Sequence, residues 1–479
     1  MNRTKIVATI GPSTHTPEMI AALLKAGVDV FRLNMSHGDH EGHATVARAV
    51  RQASERARRP AGILCDLCGP KIRIGPISPE PVVLHNGDTI TLTTLPAEGT
   101  AQRVMVNYPG MACDVREGEH ILLDDGLLMF EIRAVRPPDI ECVVLRGGPL
   151  SSHKGINLPH TKLRISPMTD KDKADIDFGL EHDADFFAVS FVQRAADIEL
   201  FREYMKSKGG NLPLIAKIEM AEAVRNLDEI LATADGAMVA RGDLGVEIPI
   251  EEVPLAQKRI IAMCNRLAKP VITATQMLDS MIRNPRPTRA EVCDIANAIF
   301  DGTDAVMLSG ETASGAYPLE SVEMMAATAA AAEGGLEHAK FLDRTLVSAH
   351  GTVPDSISRA TAKIADDLNL DHILCLSLSG GTARLVARYR PCSEILTYSL
   401  SRRTAQQLCL IWGVRALSHE HSTQPIQAGD GENLETQIRR AVCLFKQYGL
   451  LKSGEHVAIT VGLPLNVSGA TNLLHVAEV

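Results

Sequence analysis

Aromatic residues, an excess of positive charge and long apolar stretches are all missing or scarce in this sequence. Aromatic side chains make up 4% of the 479 residues, with a single tryptophan. Acidic residues outnumber basic ones by 58 to 49, for a net charge of −9, which argues against general binding to nucleic acids or anionic membranes. No apolar run approaches the roughly 20 residues that a membrane helix needs.

Familiar sequence motifs are also absent or isolated. The pattern G-x-x-x-x-G-K-[ST] does not occur, which excludes nucleotide binding by that loop. The ten cysteines are scattered, so we expect a reducing cytoplasm rather than a disulfide framework. The single C-x-x-C, Cys65 to Cys68, has no second pair, and we attribute it to chance. The first residues enter a strand-like run at once, so we expect no signal peptide.

Short apolar runs alternate with helical patterns over much of the chain, whose length predicts two to four domains. Eight of these runs, each followed by a helical segment, predict buried parallel strands. They are Lys5 to Ile10, Val30 to Leu33, Ala61 to Leu64, Phe186 to Phe191, Leu214 to Ile218, Ala237 to Ala240, Val271 to Ala274 and Ala305 to Leu308. Such an α/β pattern favours a (β/α)8 TIM barrel.

Two further regions depart from the barrel pattern. From Lys71 to Arg164 the helical period is lost, and Asp124-Asp125-Gly126 signals a hairpin, which predicts an inserted all-β lid. A C-terminal open-sheet α/β domain is predicted with strands at Ile373 to Leu376, Ile395 to Tyr398 and Val457 to Val461. The predicted division is 1–70 for the first part of the barrel, 71–165 for the lid, 166–345 for the rest of the barrel and 346–479 for the C-terminal domain.

Charged residues follow the fifth and sixth predicted strands, and the carboxyl ends of barrel strands meet at one rim. Glu219 and Asp243 suit a hard divalent cation such as Mg²⁺. Lys217 beside them would stabilise charge that develops on a phosphoryl group or an enolate. Gly242 allows close backbone approach, and the N–H groups after it can hold a carboxylate. The alternative is that the acids are solvated or salt-bridged and that the lysine belongs to a structural ion pair.

Several other residues suit phosphate groups. Arg32 and Asn34 share one side of the second strand, and an arginine can clamp phosphate with two bonds. Arg73 and Lys154, near the two ends of the lid, would bring positive charge over the cleft, although each taken alone suits an ordinary surface position. The stretch from Ser377 to Thr382 suits either a phosphate nest or a plain tight turn.

Eight motifs, in this order along essentially the whole chain, resemble the pyruvate kinase family. They are Thr4 to Pro12 (TKIVATIGP), Arg32 to Gly38 (RLNMSHG), Gly69 to Arg73 (GPKIR), Lys217 to Glu219 (KIE), Ala240 to Gly245 (ARGDLG), Ile272 to Met277 (ITATQM), Pro285 to Glu291 (PRPTRAE) and Met307 to Thr312 (MLSGET). The resemblance implies barrel, lid and regulatory domains in a cytoplasmic homotetramer. It also implies the last step of glycolysis, phosphoenolpyruvate + ADP → pyruvate + ATP.

The resemblance also implies a role for each matching residue. Glu219 and Asp243 would bind Mg²⁺ or Mn²⁺, and Lys217 would support phosphoryl transfer and the enolate. Thr275 would lie near the enolate carbon that is protonated, and Arg32 would bind phosphate. The implied substrate contacts are Arg32, Gly242, Asp243 and Thr275, and the implied nucleotide contacts are Asn34, Arg73 and Lys154.

One departure from the family concerns potassium. Members that depend on K⁺ have a glutamate in G-P-x-I-R and a threonine after the preceding aspartate, where this chain has Lys71 and Leu67. A lysine ammonium can supply the positive charge of K⁺, so we predict activity that does not require K⁺. The other usual K⁺ ligands remain, namely Asn34, Ser36 and Asp66.

A second departure concerns allosteric control. The residues that resemble the family's effector phosphate site are Ser377, Ser379, Gly380, Gly381 and Thr382. Members activated by fructose bisphosphate have a tryptophan and an arginine in a later loop, which here is Gly462-Leu463-Pro464-Leu465-Asn466. We therefore predict activation by a sugar monophosphate or AMP.

Two other functions remain open at this point. A Mg²⁺-dependent barrel lyase or aldolase acting on a 2-oxo acid would share the carboxylates, but it would not explain Arg73, Lys154 or the lid. A non-catalytic phosphometabolite sensor would keep the C-terminal site alone. The complete set of Lys217, Glu219, Asp243 and Thr275 counts against a sensor.

Overall fold

A computed structural model describes residues 2–159, 161, 164–338, 341, 351–421, 433–465, 467 and 469–479. These residues form a closed barrel, an inserted β domain and a C-terminal sheet. No helix within the described ranges has the length and apolar character needed to span a membrane. The predicted domain boundary at 345–346 and the loop residue Asn466 lie outside the described residues.

Eight parallel strands close into the predicted (β/α)8 barrel, with each strand paired to its neighbours in sequence and the eighth paired to the first. Nearly every strand residue is buried, which explains the apolar runs in the sequence. The prediction was wrong at the fourth strand, which ends at Val189 because Phe191 turns to a φ of 57°. The strands are Lys5–Ile10, Val30–Asn34, Gly62–Asp66, Phe186–Val189, Leu214–Ile218, Gly236–Ala240, Val271–Ala274 and Ala305–Leu308.

Helices surround the barrel, and the lid is inserted between the third strand and its helix. The first helix shows how local sequence sets such bounds, because the Thr16 side chain accepts from Met19 N at its start and Gly27, with φ 128°, ends it. The α-helices are Pro17–Ala26, His40–Ala57, Asp170–Glu181, Ala195–Ser207, Ala221–Arg225, Leu227–Thr233, Arg241–Glu247, Val253–Arg266, Arg289–Asp301, Gly310–Ala313 and Pro318–Glu333. Short 3₁₀ turns lie at Ile250–Glu252 and Asp279–Ile282.

The lid has its own apolar core, and its regular secondary structure is almost entirely β. The predicted hairpin is confirmed, because the strands on either side of Asp124–Gly126 pair antiparallel. One helical turn, Met111–Asp114, was not predicted. The strands are Val82–Leu84, Thr89–Thr93, Arg103–Met105, His120–Leu123, Leu128–Arg136, Asp139–Arg146, Gly148–Leu150 and Ile156–Asn157.

The C-terminal domain is a five-stranded sheet with helices. In spatial order its strands are Val414–Ser418, Glu394–Ser399, His372–Leu376, His456–Gly462 and Thr471–Glu478. The first four are parallel and the last is antiparallel to its neighbour. The sequence prediction missed the two edge strands. The α-helices are Val353–Asp367, Gly381–Ala387, Arg402–Gln407 and Leu434–Gln447, with 3₁₀ turns at Leu408–Leu410 and His419–His421.

Aspartates bind the strands together at the amino-terminal end of the barrel. One aspartate immediately precedes each even-numbered strand, and its Oδ2 accepts from an amide at the start of the strand before it, at 2.7 to 3.1 Å. Each also forms an ion pair with an arginine. The aspartate and arginine pairs are Asp29 with Arg59, Asp185 with Arg51, Asp235 with Arg202 and Asp304 with Arg390.

The C-terminal domain closes this same end of the barrel. Leu410 is fully buried in the cluster of side chains that fills the barrel interior, where it joins residues such as Val7 and Ile272. Trp412 N donates to Asp304 at 3.2 Å, and the Arg390 guanidinium lies 5.0 Å from the centre of the Trp412 ring. The opposite rim is left free for ligands and for the lid.

Candidate active site

Lys217, the next-to-last residue of the fifth strand, is the centre of a buried charge cluster at the carboxyl end of the barrel. Its ammonium donates to Ser190 Oγ at 2.7 Å and lies 3.4 Å from Asp66 Oδ1 and 3.2 Å from Glu219 Oε2. Burial works to lower the pKa of Lys217, but Asp66, Glu219 and Asp243 outweigh it and raise that pKa above its ordinary value. The ammonium therefore stays charged at every physiological pH.

Glu219 is buried and incompletely bonded. Its Oε1 accepts from Phe191 N at 2.6 Å. Its Oε2 has no hydrogen-bond donor among the described residues, although the Lys217 ammonium lies within ion-pair distance. Burial raises the pKa of Glu219 above its ordinary value, against the influence of Lys217. An open carboxylate oxygen at this position suits a cation that is coordinated by both Glu219 and a bound ligand.

Asp243 contributes a second, more exposed carboxylate to the rim. Its side chain is 36% exposed, and it lies at the start of the helix that follows the sixth strand. The described residues contain no cluster of three or more His, Cys, Asp or Glu side chains arranged to hold a metal ion. A cation bound by Glu219 and Asp243 would therefore take its remaining ligands from substrate and water, as Mg²⁺ commonly does.

The turn after the fourth strand brings the Phe191 amide to Glu219. Phe191 has a φ of 57°, an uncommon conformation for a large side chain. Gly69 makes room for it, because a Cβ on Gly69 would lie 2.7 Å from the Phe191 ring. Ser190, beside it, donates to Leu67 O at 2.7 Å. The loops after strands three and four thus pack together to position Ser190 and Phe191 against the lysine and the glutamate.

Thr275, just after the seventh strand, has a strained backbone. Its φ is 70°, and that of Gln276 is 55°, which costs about 1–3 kcal/mol for each such residue. Gly242 N donates to Thr275 Oγ1 at 2.8 Å, and a Cβ on Gly242 would lie 3.1 Å from that oxygen. Arg241 donates to Thr275 O at 2.8 Å and to Asp294 at 2.6 Å. These bonds hold the strained turn and join strands six and seven.

Arg32 is buried on the second strand and is linked to Lys217 through Asp66. Its Nε donates to Asp66 Oδ2 at 2.7 Å, and another guanidinium nitrogen donates to Thr9 Oγ1 at 2.9 Å. Burial works to raise the pKa of Asp66, but Lys217 and Arg32 lower it below its ordinary value. Asp66 therefore remains ionised and holds two cations side by side at the rim.

The structure places the predicted cation-site residues in two groups. Asn34 is in register with Asp66 on the paired strands, and its Oδ1 accepts from Ser36 N at 3.2 Å. Lys71 lies instead across the rim, where its Nζ is 3.9 Å from Asp243 Oδ1. Lys71 thus lies on the Asp243 side of the rim with a partly exposed side chain.

The two other predicted cations are bonded within the lid. An Arg73 guanidinium nitrogen donates to His153 O at 3.0 Å. Lys154 pairs with Asp124 Oδ1 at 2.9 Å. In this conformation neither side chain has a described bond to the barrel rim.

The predicted effector residues border a cleft in the C-terminal domain. Ser377, Ser379, Gly381 and Thr382 line it, and Gly380 turns the chain behind it with a φ of 77°. Thr382 is buried, and its Oγ1 lies 2.6 Å from Thr471 Oγ1. The described lining residues include no charged side chain, so hydroxyl and backbone groups dominate this cleft.

Sequence reasoning missed Ser190, Arg241, Glu247 and Asn157. Ser190 and Arg241 could have been found, because each directly follows a predicted barrel strand or lies within its end, at the same rim as Lys217. Glu247 and Asn157 form a hydrogen bond of 3.2 Å between the barrel and the lid, 90 residues apart in sequence. No local pattern indicates such a contact.

Comparisons with known proteins agree with this architecture. The family model "Pyruvate kinase, barrel domain" matches residues 1–322, and "Pyruvate kinase, alpha/beta domain" matches residues 355–477. The pyruvate kinase of Geobacillus stearothermophilus is 45% identical over 477 residues, covering 99% of this chain and 80% of that protein. The pyruvate kinase of Clostridium acetobutylicum is 40% identical over 481 residues and is covered completely, as is this chain.

Proposed function

Because the chain belongs to the pyruvate kinase family, and is thus a phosphotransferase, we propose that it transfers the phosphoryl group of phosphoenolpyruvate to ADP and releases pyruvate and ATP. The observation that carries this proposal is the buried ammonium of Lys217 between Asp66 and Glu219 at the barrel rim. A permanent positive charge there suits phosphoryl transfer and an enolate product. Family membership favours this reaction over the lyase and the sensor.

Glu219 and Asp243 fit a divalent cation. Glu219 Oε2 is buried without a hydrogen-bond donor among the residues described, and Asp243 is partly exposed beside it. Two carboxylates with further ligands from water and substrate oxygens are typical of Mg²⁺ and Mn²⁺. When bound, such a cation would neutralise charge on the phosphoryl and enolate oxygens.

Arg32, Lys217 and Thr275 would then act on the substrate directly. Arg32 would hold the phosphoryl group, and Lys217 would keep its proton and stabilise the enolate oxygen. Because Thr275 Oγ1 already accepts from Gly242 N, the hydroxyl proton is directed away from that amide and is free to face the enolate carbon. Enolpyruvate is a good leaving group, so positioning and charge stabilisation account for most of the catalysis.

We propose that the nucleotide phosphates are bound by Asn34, Arg73 and Lys154. Arg73 and Lys154 now bond within the lid, so a lid movement would have to redirect them toward the rim. The binding of ADP would supply the negative charge that competes with Asp124 for Lys154.

A coupled assay for ATP formation from phosphoenolpyruvate and ADP tests the proposed reaction. We expect saturable turnover that requires Mg²⁺ or Mn²⁺ and stops when a chelator is added. ATP formation that is absent with both substrates and both metals would contradict the proposal.

We propose that turnover does not require K⁺, because Lys71 replaces the family's glutamate and adds a positive charge to the rim. That charge lies on the Asp243 side, 3.9 Å from Oδ1, and not beside Asn34 and Asp66. The maximal rate in KCl should equal that in a tetramethylammonium salt of the same ionic strength. The double change Lys71→Glu with Leu67→Thr should make turnover depend on K⁺. A several-fold activation of the unchanged protein by K⁺ would contradict this proposal.

We also propose activation by a sugar monophosphate or AMP at the cleft lined by Ser377 to Thr382. Thr382→Glu would place a carboxylate where the phosphate binds and disturb the contact with Thr471. Activation by every such phosphate should be lost. If Thr382→Glu leaves activation intact, the effector does not bind in this cleft.

From the resemblance we further propose a cytoplasmic homotetramer, divided into barrel (1–70 and 166–345), lid (71–165) and C-terminal regulatory domain (346–479). Light scattering after size-exclusion chromatography tests the assembly. A mass near four times the 51.6 kDa chain supports it, and a monomer or dimer at assay concentration contradicts it.

A further inference from the structure

The helix Arg241–Glu247, which carries Gly242 and Asp243, is held differently at its two ends. Arg241 at its start is fixed to the barrel by Asp294 and by the Thr275 carbonyl. Glu247 at its end is buried and accepts a hydrogen bond from Asn157 Nδ2 at 3.2 Å. Glu247 also accepts from the Ala221 backbone amide. Two turns of helix therefore join an end bound to the barrel alone to an end that contacts both the barrel and the lid.

Asn157 is a fixed part of the lid sheet. The strand Ile156–Asn157 pairs antiparallel with His120–Leu123, and Ile156 N donates to Ile72 O at 2.9 Å. A displacement of the lid would therefore carry the Asn157 amide with it. The bond to Glu247 would transmit that displacement to the helix.

The lid hairpin also lies close to the same helix. A Cβ built on Gly126, at the hairpin tip, would lie 3.7 Å from Val246 Cγ1. The lid thus bonds to this helix from the strand Ile156–Asn157 and approaches it closely at the hairpin turn. No other described hydrogen bond joins Asn157 to the barrel.

Burying Glu247 lowers the stability of the fold, and packing alone would not require a glutamate at this position. Burial, aided by Glu219 and Asp243, raises the pKa of Glu247 to about 7. A glutamate in a low-polarity site beside other acids is unfavourable to the fold. A leucine of similar size would avoid this cost, but it would leave Asn157 without its acceptor.

We propose that Asn157 and Glu247 form a positioning pair, which couples the position of the lid to the position of Asp243 at the barrel rim. The pair does not touch the reacting atoms, and it acts through the helix between Asp243 and Glu247. This inference rests on the proposed function, in which Asp243 binds the divalent cation.

Metal dependence of the rate is the first test. Asn157→Ala and Glu247→Ala should each raise the Mn²⁺ concentration for half-maximal rate by about three- to tenfold, the worth of one hydrogen bond. The maximal rate at saturating Mn²⁺ should change by less than about twofold. A fall in maximal rate with unchanged Mn²⁺ dependence would overturn the proposal.

Two further variants separate positioning from simple damage. Glu247→Gln keeps an oxygen acceptor and should keep the Mn²⁺ dependence of the unchanged protein. The double change of Asn157 and Glu247 to alanine should be no worse than Glu247→Ala alone, because the bond that the two residues share is already lost in that variant. The matched control is Asn86→Ala, which removes a hydrogen bond to Gly147 N within the lid. The proposal would be overturned if the two single changes had additive effects on the Mn²⁺ dependence. It would also be overturned if Asn86→Ala changed that dependence as much as Asn157→Ala does.

Hydrogen exchange tests the pair without reference to turnover. Asn157→Ala and Glu247→Ala should both speed exchange at the amides of 156–157 and of 244–247, and Glu247→Gln should not. If the unchanged protein forms no ATP, the proposed reaction fails, whereas these exchange rates still decide the coupling. Faster exchange on one side of the contact alone would show that lid and helix are not coupled.

Discussion

The two ends of the barrel both bury carboxylates, but they satisfy them differently. At the amino-terminal end, Asp304 Oδ1 accepts from Arg390 at 3.1 Å and from Trp412 N at 3.2 Å, and its Oδ2 accepts from Val271 N at 3.1 Å. At the carboxyl end, one oxygen of Glu219 has no donor within the part of the chain that the structure describes.

We infer that this difference separates carboxylates that stabilise the fold from carboxylates that would bind a ligand. A buried acceptor left open costs about 1–3 kcal/mol, whereas a bonded one does not. The separation is not complete, because Asp185 Oδ1, at the amino-terminal end, also lacks a described partner, and burial raises the pKa of Asp185. Asp185 still bonds Arg51 and Ile63 N through its other oxygen.

The largest expected contrast is between two buried lysines, one at each end. Lys217→Met should lower kcat by about a thousandfold, since a preorganised charge is removed from the reacting group. Lys5→Met, which removes a bond from Nζ to Val414 O of 2.7 Å, should lower the thermal midpoint and leave kcat nearly unchanged. Steady-state kinetics with thermal unfolding of both variants checks this. Equal loss of kcat in the two would remove the distinction between the ends.

The next contrast concerns the free energy of unfolding. Asp304→Asn should lower it by about 3 kcal/mol, because Arg390 would be left as a buried charge without its partner. Glu219→Gln should leave it unchanged or raise it, since an incompletely bonded buried acid is removed while Lys217 keeps Asp66 as its partner. Chemical denaturation at pH 7 measures both. A loss of stability in Glu219→Gln as large as that in Asp304→Asn would contradict the account.

A smaller effect is expected at Thr275. Thr275→Ala should slow exchange of the pyruvate methyl protons with solvent by about a hundredfold, as expected when a proton-donating group is removed. Thr275→Ser keeps the hydroxyl and should stay close to the unchanged protein. Proton NMR in D₂O follows the exchange directly. Equal exchange rates in the alanine and serine variants would show that the hydroxyl takes no part in the transfer of the methyl proton.

The smallest effect depends on pH. The pKa of Glu247 is raised from 4.5 to about 7, so its protonated form stabilises the fold below pH 4.5 and that stability is lost as pH rises through 7. Glu247→Gln does not titrate. It should match the unchanged protein near pH 5 and exceed its free energy of unfolding by about 2 kcal/mol at pH 8. Denaturation curves at several pH values test this, and a difference that does not vary with pH would refute it.

Much of the difference between the two barrel ends was present in the sequence, although the aspartates at the amino-terminal end were overlooked. Lys217, Glu219 and Asp243 were predicted to share a rim, because strands buried on both faces appear as apolar runs with defined ends. The aspartates at the other end had an equally clear signal. Each even-numbered barrel strand is directly preceded by an aspartate, namely Asp29, Asp185, Asp235 or Asp304.

What escaped prediction depends on contacts between distant parts of the chain. The edge strand Thr471–Glu478 is antiparallel and partly exposed, so it lacks the continuous apolar run of the barrel strands. The turn at Phe191 depends on space provided by Gly69. The contact between Asn157 and Glu247 exists because the lid folds back onto the barrel, and no local period encodes that.

Direct titration of Mn²⁺ into the protein, in the presence of phosphoenolpyruvate, tests the central claim that the two ends hold carboxylates for different purposes. Glu219→Gln should weaken Mn²⁺ binding by more than about a hundredfold, beyond the effect typical of residues behind the ligands. Asp304→Asn should bind Mn²⁺ as the unchanged protein does. Unaltered binding by Glu219→Gln, or equal weakening in both variants, would contradict the account.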